Sequence, residues 1–210
     1  MMVQWCSQEN PLVWDASDVT NTAGYQRLTY GSEIITAEKT RQETLLFTDS
    51  AVYSMQYLGA PYIFGFNVLS NEITIASQNA VATANNITYW MGQSKFYVYS
   101  GRVDTLPCSL RQYIFDDFSL DQIDQVCCGT NERYNEVWWF YVSETEANNA
   151  AREGRYPTVD RYVIYNYLEK LWYYGQLSRT AWFDSHIVGN PLAASKGCLL
   201  YTSPSPRDQR

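Results

Sequence analysis

Thr44-Leu-Leu-Phe-Thr-Asp-Ser-Ala-Val-Tyr-Ser-Met55 lies over Thr88-Tyr-Trp-Met-Gly-Gln-Ser-Lys-Phe-Tyr-Val-Tyr99 when the sequence is shifted by 44 positions. Thr44/Thr88, Ser50/Ser94 and Tyr53/Tyr97 are identical, and Leu46/Trp90, Phe47/Met91, Val52/Phe96 and Met55/Tyr99 are apolar in both. Each copy reads as a strand, a tight polar turn (Thr48-Asp49-Ser50 or Gly92-Gln93-Ser94) and a second strand. A third copy begins at Glu136-Val-Trp-Trp-Phe-Tyr-Val142 and resumes at Arg161-Tyr-Val-Ile-Tyr165. Between them the polar stretch 144–158 expands the turn, a length change of the kind surface loops tolerate.

Outward from each hairpin, further strands are expected upstream at 34–42, 80–86 and 125–129, and downstream at 62–69, 110–118 and 173–183. Four strands recurring at about 40–50 residues are the signature of propeller blades. The expected fold is therefore all-β, a partial β-propeller-like array of about three four-stranded blades. Trp138-Trp-Phe-Tyr-Val142 and Phe96-Tyr-Val-Tyr99 do not alternate apolar with polar, so both faces of these strands must be covered. The first strand of each unit is more polar, as in Thr36-Ala-Glu-Lys-Thr-Arg-Gln-Glu43, which suits a channel-lining inner strand. Residue propensities alone also allow a short helix at 37–43.

Composition agrees with sheet. Of 210 residues 46% are hydrophobic and 16% aromatic, with 18 Tyr and 7 Trp, the residue types that suit pleated, packed surfaces. Only 18% are charged, too few to give many helices a solvated face. The net charge of −7 argues against a protein that grips nucleic acid by neutralising phosphate. No run approaches the ~18 apolar residues of a membrane helix, and Met1-Met2-Val3-Gln4-Trp5 lacks the basic start and apolar run of a secretory signal.

The terminal segment Cys198-Leu-Leu-Tyr-Thr-Ser-Pro-Ser-Pro-Arg-Asp-Gln-Arg210 breaks with the rest. It resembles one reading frame of a transposase-type sequencing adapter, as expected of an open reading frame taken from an unfinished metagenomic contig. Residues 1–197 thus read as an internal piece of a longer β-propeller-like domain, and 198–210 as a non-native, disordered tail. Removing Arg207, Asp208 and Arg210 takes the net charge from −7 to −8.

Candidate chemistry is sparse. Cysteines at 6, 108, 127, 128 and 198 are odd in number and irregular in spacing, and with His186 as the single histidine they do not make an ordinary zinc site; they read as reduced, mostly buried thiols. Asp116, Asp117, Asp121 and Asp124 form the densest acidic cluster; paired glycosidase carboxylates or a Ca²⁺ loop are the sharp readings, and a solvated turn the plain one. His186 stands beside Ser185 and Asp184, but neighbours in sequence rarely converge as a triad, and there is no nucleophile elbow. Asn86-Ile87-Thr88 matches a glycosylation sequon, a pattern common by chance. No catalytic, metal or cofactor residue is assigned: the chain reads as no enzyme and as needing no cofactor. The insertion 144–158 is the candidate partner-docking loop, through Glu144, Glu146, Arg152, Arg155 and Tyr156.

Several segments carry a resemblance to a known family: Trp5-Cys-Ser-Gln-Glu-Asn-Pro11, Asn21-Thr-Ala-Gly-Tyr-Gln-Arg-Leu28, Gly31-Ser-Glu-Ile-Ile-Thr-Ala37, Phe47-Thr-Asp-Ser-Ala-Val-Tyr-Ser-Met-Gln56 and Asn85-Asn-Ile-Thr-Tyr-Trp-Met-Gly92. They continue with Phe96-Tyr-Val-Tyr-Ser-Gly-Arg-Val103, Thr105-Leu-Pro-Cys108, Asn135-Glu-Val-Trp-Trp-Phe140 and Asp160-Arg-Tyr-Val-Ile-Tyr-Asn-Tyr-Leu-Glu-Lys170. On these the chain resembles the tail tube or hub proteins of tailed bacteriophages, the group of tail nozzle, head-completion and packaged-DNA stabilisation proteins. Cys6, Cys127 and Cys128 depart from that pattern, where small or aliphatic residues are expected. The resemblance implies a non-catalytic virion component of the tail, assembled in the host cytoplasm. It implies a homo-oligomeric ring with other tail and portal proteins as partners, and only transient contact with passing DNA. The alternative is a secreted glycan-binding or glycan-cleaving propeller, in which the aromatic residues would stack on sugar rings.

Overall fold

The computed structural model describes residues 1–18, 20–184, 191–195 and 200–202; His186 and Cys198 lie outside them. The chain divides into two compact units, Met1–Thr74 and Ile75–Arg210.

In the first unit a hairpin of β1 (Met2–Trp5) and β2 (Gly24–Arg27) accompanies a sheet of β3 (Ile34–Lys39), β4 (Thr44–Thr48), β5 (Ala51–Tyr57) and β6 (Phe64–Asn71), antiparallel in that order. Trp5 of β1 packs on Phe64 and Phe66 of β6, with ring centroids 5.2 and 5.9 Å apart, and its indole donates to the Thr22 carbonyl. Residues 37–43 are not a helix: β3 runs to Lys39, and Thr40 then closes a turn onto Glu43 through backbone and hydroxyl bonds. The Asp49-Ser50 turn between β4 and β5 is held by the Thr48 hydroxyl, which donates to the Ala51 carbonyl and accepts from the Ala51 amide. Asp49 in turn accepts from the Ser32 hydroxyl and amide, and these bonds hold its carboxyl below the usual carboxylate range.

The second unit holds β7 (Val81–Ala84), β8 (Ile87–Met91), β9 (Phe96–Tyr99) and β10 (Val103–Leu106), then helix α1 (Arg111–Asp116). Next come β11 (Cys127–Asn131), β12 (Glu136–Tyr141), helix α2 (Glu144–Glu153), β13 (Arg161–Asn166) and β14 (Leu171–Gln176). A shorter sheet of β15 (Ala181–Phe183), β16 (Leu192–Ala194) and β17 (Leu200–Thr202) follows. Thus β7–β10 and β11–β14 are again four-stranded antiparallel meanders. Through β17, three residues of the adapter-like segment pair with β16. The chain is all-β in character, and no helix among the described residues is long and apolar enough to cross a membrane.

The 44-residue repeat is a repeat of strand register. Leu46 stands opposite Tyr53 as Trp90 stands opposite Tyr97, and Phe47 opposite Val52 as Met91 opposite Phe96; all eight are buried. Every residue of β12 is buried, as its unbroken apolar run requires. Asn85 and Asn86, both at positive φ, make the two-residue turn from β7 to β8, the geometry whose twist matches a hairpin.

Three expectations need correction. The fourth strand of the second meander is β10, not 110–118, because Ser100-Gly101-Arg102 turns the chain straight back, with Gly101 at φ +96. Residues 110–118 contain α1 instead: Leu110, Ile114, Phe115 and Phe118 are spaced for a helical face, Ile114 is buried, and Phe115 packs on Phe96. Residues 173–183 are two strands, β14 closing one sheet and β15 opening the next. The insertion is a helix, α2, rather than an irregular loop.

Trp182 of β15 fits against β11 where Gly129 has no side chain; a Cβ there would lie 2.0 Å from the indole, which is itself fixed by bonds to the Thr130 carbonyl and Asp184. A Cβ on Gly65 would meet only the end of the exposed Leu58 side chain. Gly129→Ala is therefore expected to destabilise by about 1–3 kcal/mol and Gly65→Ala to stay within about 0.5 kcal/mol, measured by urea unfolding followed by tryptophan fluorescence; equal effects would contradict this packing.

Candidate docking surface

The insertion folds because its ends are capped. Ser143 is the N-cap of α2: its hydroxyl oxygen accepts from the Glu146 amide at 3.0 Å and its proton goes to Asp160, which also accepts from the Ser143 amide. Gly154 ends the helix in the left-handed region at φ +66. Glu144 and Glu146 place negative charge in the first turn, where the helix dipole favours it, and Ala150 is the buried contact of the inner face.

Two of the five docking candidates are engaged with each other. Arg155 forms a two-pronged ion pair with Glu146, and its Nε also reaches Glu153; these bonds push the guanidinium pKa up. The pair fastens the segment after the helix back onto its first turn, where Glu146 also accepts from the Thr158 amide. Glu144, Arg152 and Tyr156 remain outward, with Tyr156 89% exposed. The surface the insertion offers is therefore a mixed-charge face with one projecting aromatic ring.

Within the acidic cluster Asp117 serves structure. The Asp117 carbonyl accepts from the Glu144 amide at 2.7 Å, and its carboxylate meets Arg161 Nε at 3.3 Å and the Thr145 hydroxyl at 3.4 Å, tying the end of α1 to the start of α2. Beside it, burial first and the Asp117 charge next push the Tyr141 phenol well above its ordinary pKa. Asp121 and Asp124 lie in a 3-10 turn, Leu120–Gln125. Among the described residues no three His, Cys, Asp or Glu side chains gather as metal ligands would. Asp184 is a clamp: it accepts from the Thr130 amide and hydroxyl as well as from Trp182. Ser185 and His186 are outside the described residues.

The sequence reading missed a pocket of 170 Å³ in the first unit, lined by the β3–β4 turn with Met55, Tyr57 and Phe64. No motif announces it, since its walls come from segments that only the strand register brings together.

Comparison of the chain with protein-family models and with curated proteins finds no match.

Ser143→Ala removes a buried cap and leaves Asp160 short of a donor, so the chain is expected to lose about 1–2 kcal/mol, read by urea unfolding; an unchanged midpoint would mean that α2 is not held this way. Burial raises the Cys127 thiol to about 12 and Cys108 to about 11. A raised thiol pKa keeps the unreactive protonated form at neutral pH, so at pH 8 both should resist a disulfide reagent until the protein is unfolded. Fast labelling of either in the native protein would contradict the packing.

Proposed function

We propose that this protein is a non-catalytic structural component of a bacteriophage tail, one subunit of a homo-oligomeric ring that forms a conduit for DNA. The observation that carries this reading is where the family-like segments fall. Phe47–Gln56 spans the turn and strand of the first central hairpin, 85–92 and 96–103 the second, and 135–140 with 160–170 the third. Five of the nine family-like segments thus fall on the three central hairpins, which hold most of the buried framework, as in a family defined by its wall rather than by a reaction.

The charge agrees. An acidic wall repels phosphate, so DNA passing through the ring would slide rather than stick. The four cysteines among the described residues are all free thiols, which suits assembly in a reducing cytoplasm. Tail and portal proteins would meet the chain at the outward face of α2 through Glu144, Arg152 and Tyr156, with closed symmetry making the ring.

The protein is expected to form a closed oligomer, alone or with the tail proteins encoded beside it, as measured by light scattering. It should leave duplex DNA unretarded at about 0.15 M salt. Glu144→Lys with Tyr156→Ala should weaken capture of the tail partner while leaving the fold intact. A monomer with every tail partner, or tight DNA binding, would reject the reading; normal capture by the double variant would reject only α2 as the docking face.

A further inference from the structure

We propose that the pocket at the β3–β4 turn binds a single acidic sugar ring, of the uronic-acid type, either free or as a unit of an acidic glycan. Its volume is 170 Å³, well below the roughly 300–1,000 Å³ of pockets for drug-sized ligands, so it takes one ring rather than an extended molecule.

The lining supplies the three contacts such a ring asks for. Lys39 and Arg41 are exposed and form no ion pair among the described residues, so their charges are available to a carboxylate; this is a cationic spot on a chain of net charge −7. Tyr57 offers a ring that is 63% exposed, and Phe64 stands edge-on behind it at 5.8 Å, itself backed by Trp5. An exposed, supported aromatic face suits the flat C–H face of a pyranose. Thr44 lines the pocket in the same cross-strand row as Met55, and its hydroxyl can donate to and accept from sugar hydroxyls, while the Glu43 carboxylate is held on the other strand face by Ser54 and Gln56.

The site is pre-formed. Lys39 stands opposite Thr44, and Thr44 opposite Met55, so a single row across three strands sets the floor, and the Thr40–Glu43 hydrogen bonds fix the turn above it. Little ordering cost is left to binding. The proposal is independent of the assembly reading: either kind of protein can carry the pocket, and its failure would leave the ring unaffected.

The test titrates the full chain with D-glucuronate, D-glucose and inorganic phosphate, followed by calorimetry or by ligand-observed NMR. Glucuronate should bind saturably in the millimolar range, and glucose and phosphate at least about tenfold more weakly, a difference of about 1.4 kcal/mol. The double variant Lys39→Ala/Arg41→Ala and the variant Tyr57→Ala should each weaken glucuronate about tenfold or more, with an unchanged circular dichroism spectrum. Tyr57→Phe, which keeps the stacking face, should bind as the parent does. A polyuronate should show the same losses in the variants if the ring is recognised within a chain. The proposal is overturned if glucuronate does not saturate, if glucose binds as well, if phosphate binds as well, which would make this a plain anion site, or if the variants bind unchanged.

Discussion

An indole donated across a sheet boundary is the interaction on which Ile75–Arg210 depends. Trp139 of β12 donates to the Ala80 carbonyl at the edge of the β7–β10 meander; Trp172 of β14 donates to Pro107, just past β10. Trp182 of β15 repeats the move one sheet further on, donating to Thr130 of β11. Each later sheet thus fixes itself on the backbone of the sheet before it. The rings add area as well as direction: Trp139 packs at 5.0 Å on Phe96, and Trp172 at 4.7 Å on the same ring. A leucine would bury comparable surface but could not choose one carbonyl, whereas a buried tryptophan must find an acceptor and so selects one packing among several.

The need for such ties follows from the central strands. When every residue of β12 is buried, its sheet has no solvent face and cannot be stable alone. Backbone bonds assist at the same seam: the Cys128 amide donates to the Asn79 carbonyl at 2.7 Å, and the Ser77 hydroxyl to the Val126 carbonyl at 2.6 Å. The aromatic richness of the chain is therefore mostly mortar between sheets, and only its exposed remainder is free for recognition.

What was legible in the sequence follows from the same physics. The three central hairpins could be read because burial on both faces writes long apolar runs, and because the turns between them use Asp, Ser, Gly and Asn. The expected turn Thr48-Asp49-Ser50 is closed by Thr48, whose hydroxyl makes the bonds such turns favour. Outer strands are short and half-polar, so they compete poorly with neighbouring signals: Val103–Leu106 gives a weaker signal than the more apolar 110–118, whose period is helical. The insertion hid a helix because Ser143 with Glu146 is a cap only if the chain between them turns, and because the Arg155–Glu146 pair that closes it spans nine positions. The pocket was invisible because Lys39, Met55 and Phe64 become neighbours only through the register of four strands.

Lys39 and Tyr57, which line that pocket in one copy of the repeat, lack counterparts in the next, and the reason lies in the connections. Shifted by 44 positions, Tyr57 becomes Gly101, and Lys39 becomes Thr83, whose hydroxyl is already hydrogen-bonded to Thr88 across the hairpin. In the second copy two asparagines join β7 to β8, and Ser100-Gly101-Arg102 joins β9 to β10. In the first copy residues 40–43 join β3 to β4, and 58–63 join β5 to β6. The longer connections carry Arg41, Glu43 and the exposed end of β5 beyond the packed rows, and β3 stays half-exposed where β7 and β11 are largely covered. The paired core rows Leu46–Tyr53 and Trp90–Tyr97 meanwhile keep the same register. A framework held by buried aromatic pairs leaves the ends of its hairpins free to lengthen, and in the first copy that freedom has opened a concave, cationic, aromatic-walled site without disturbing the sheet beneath it.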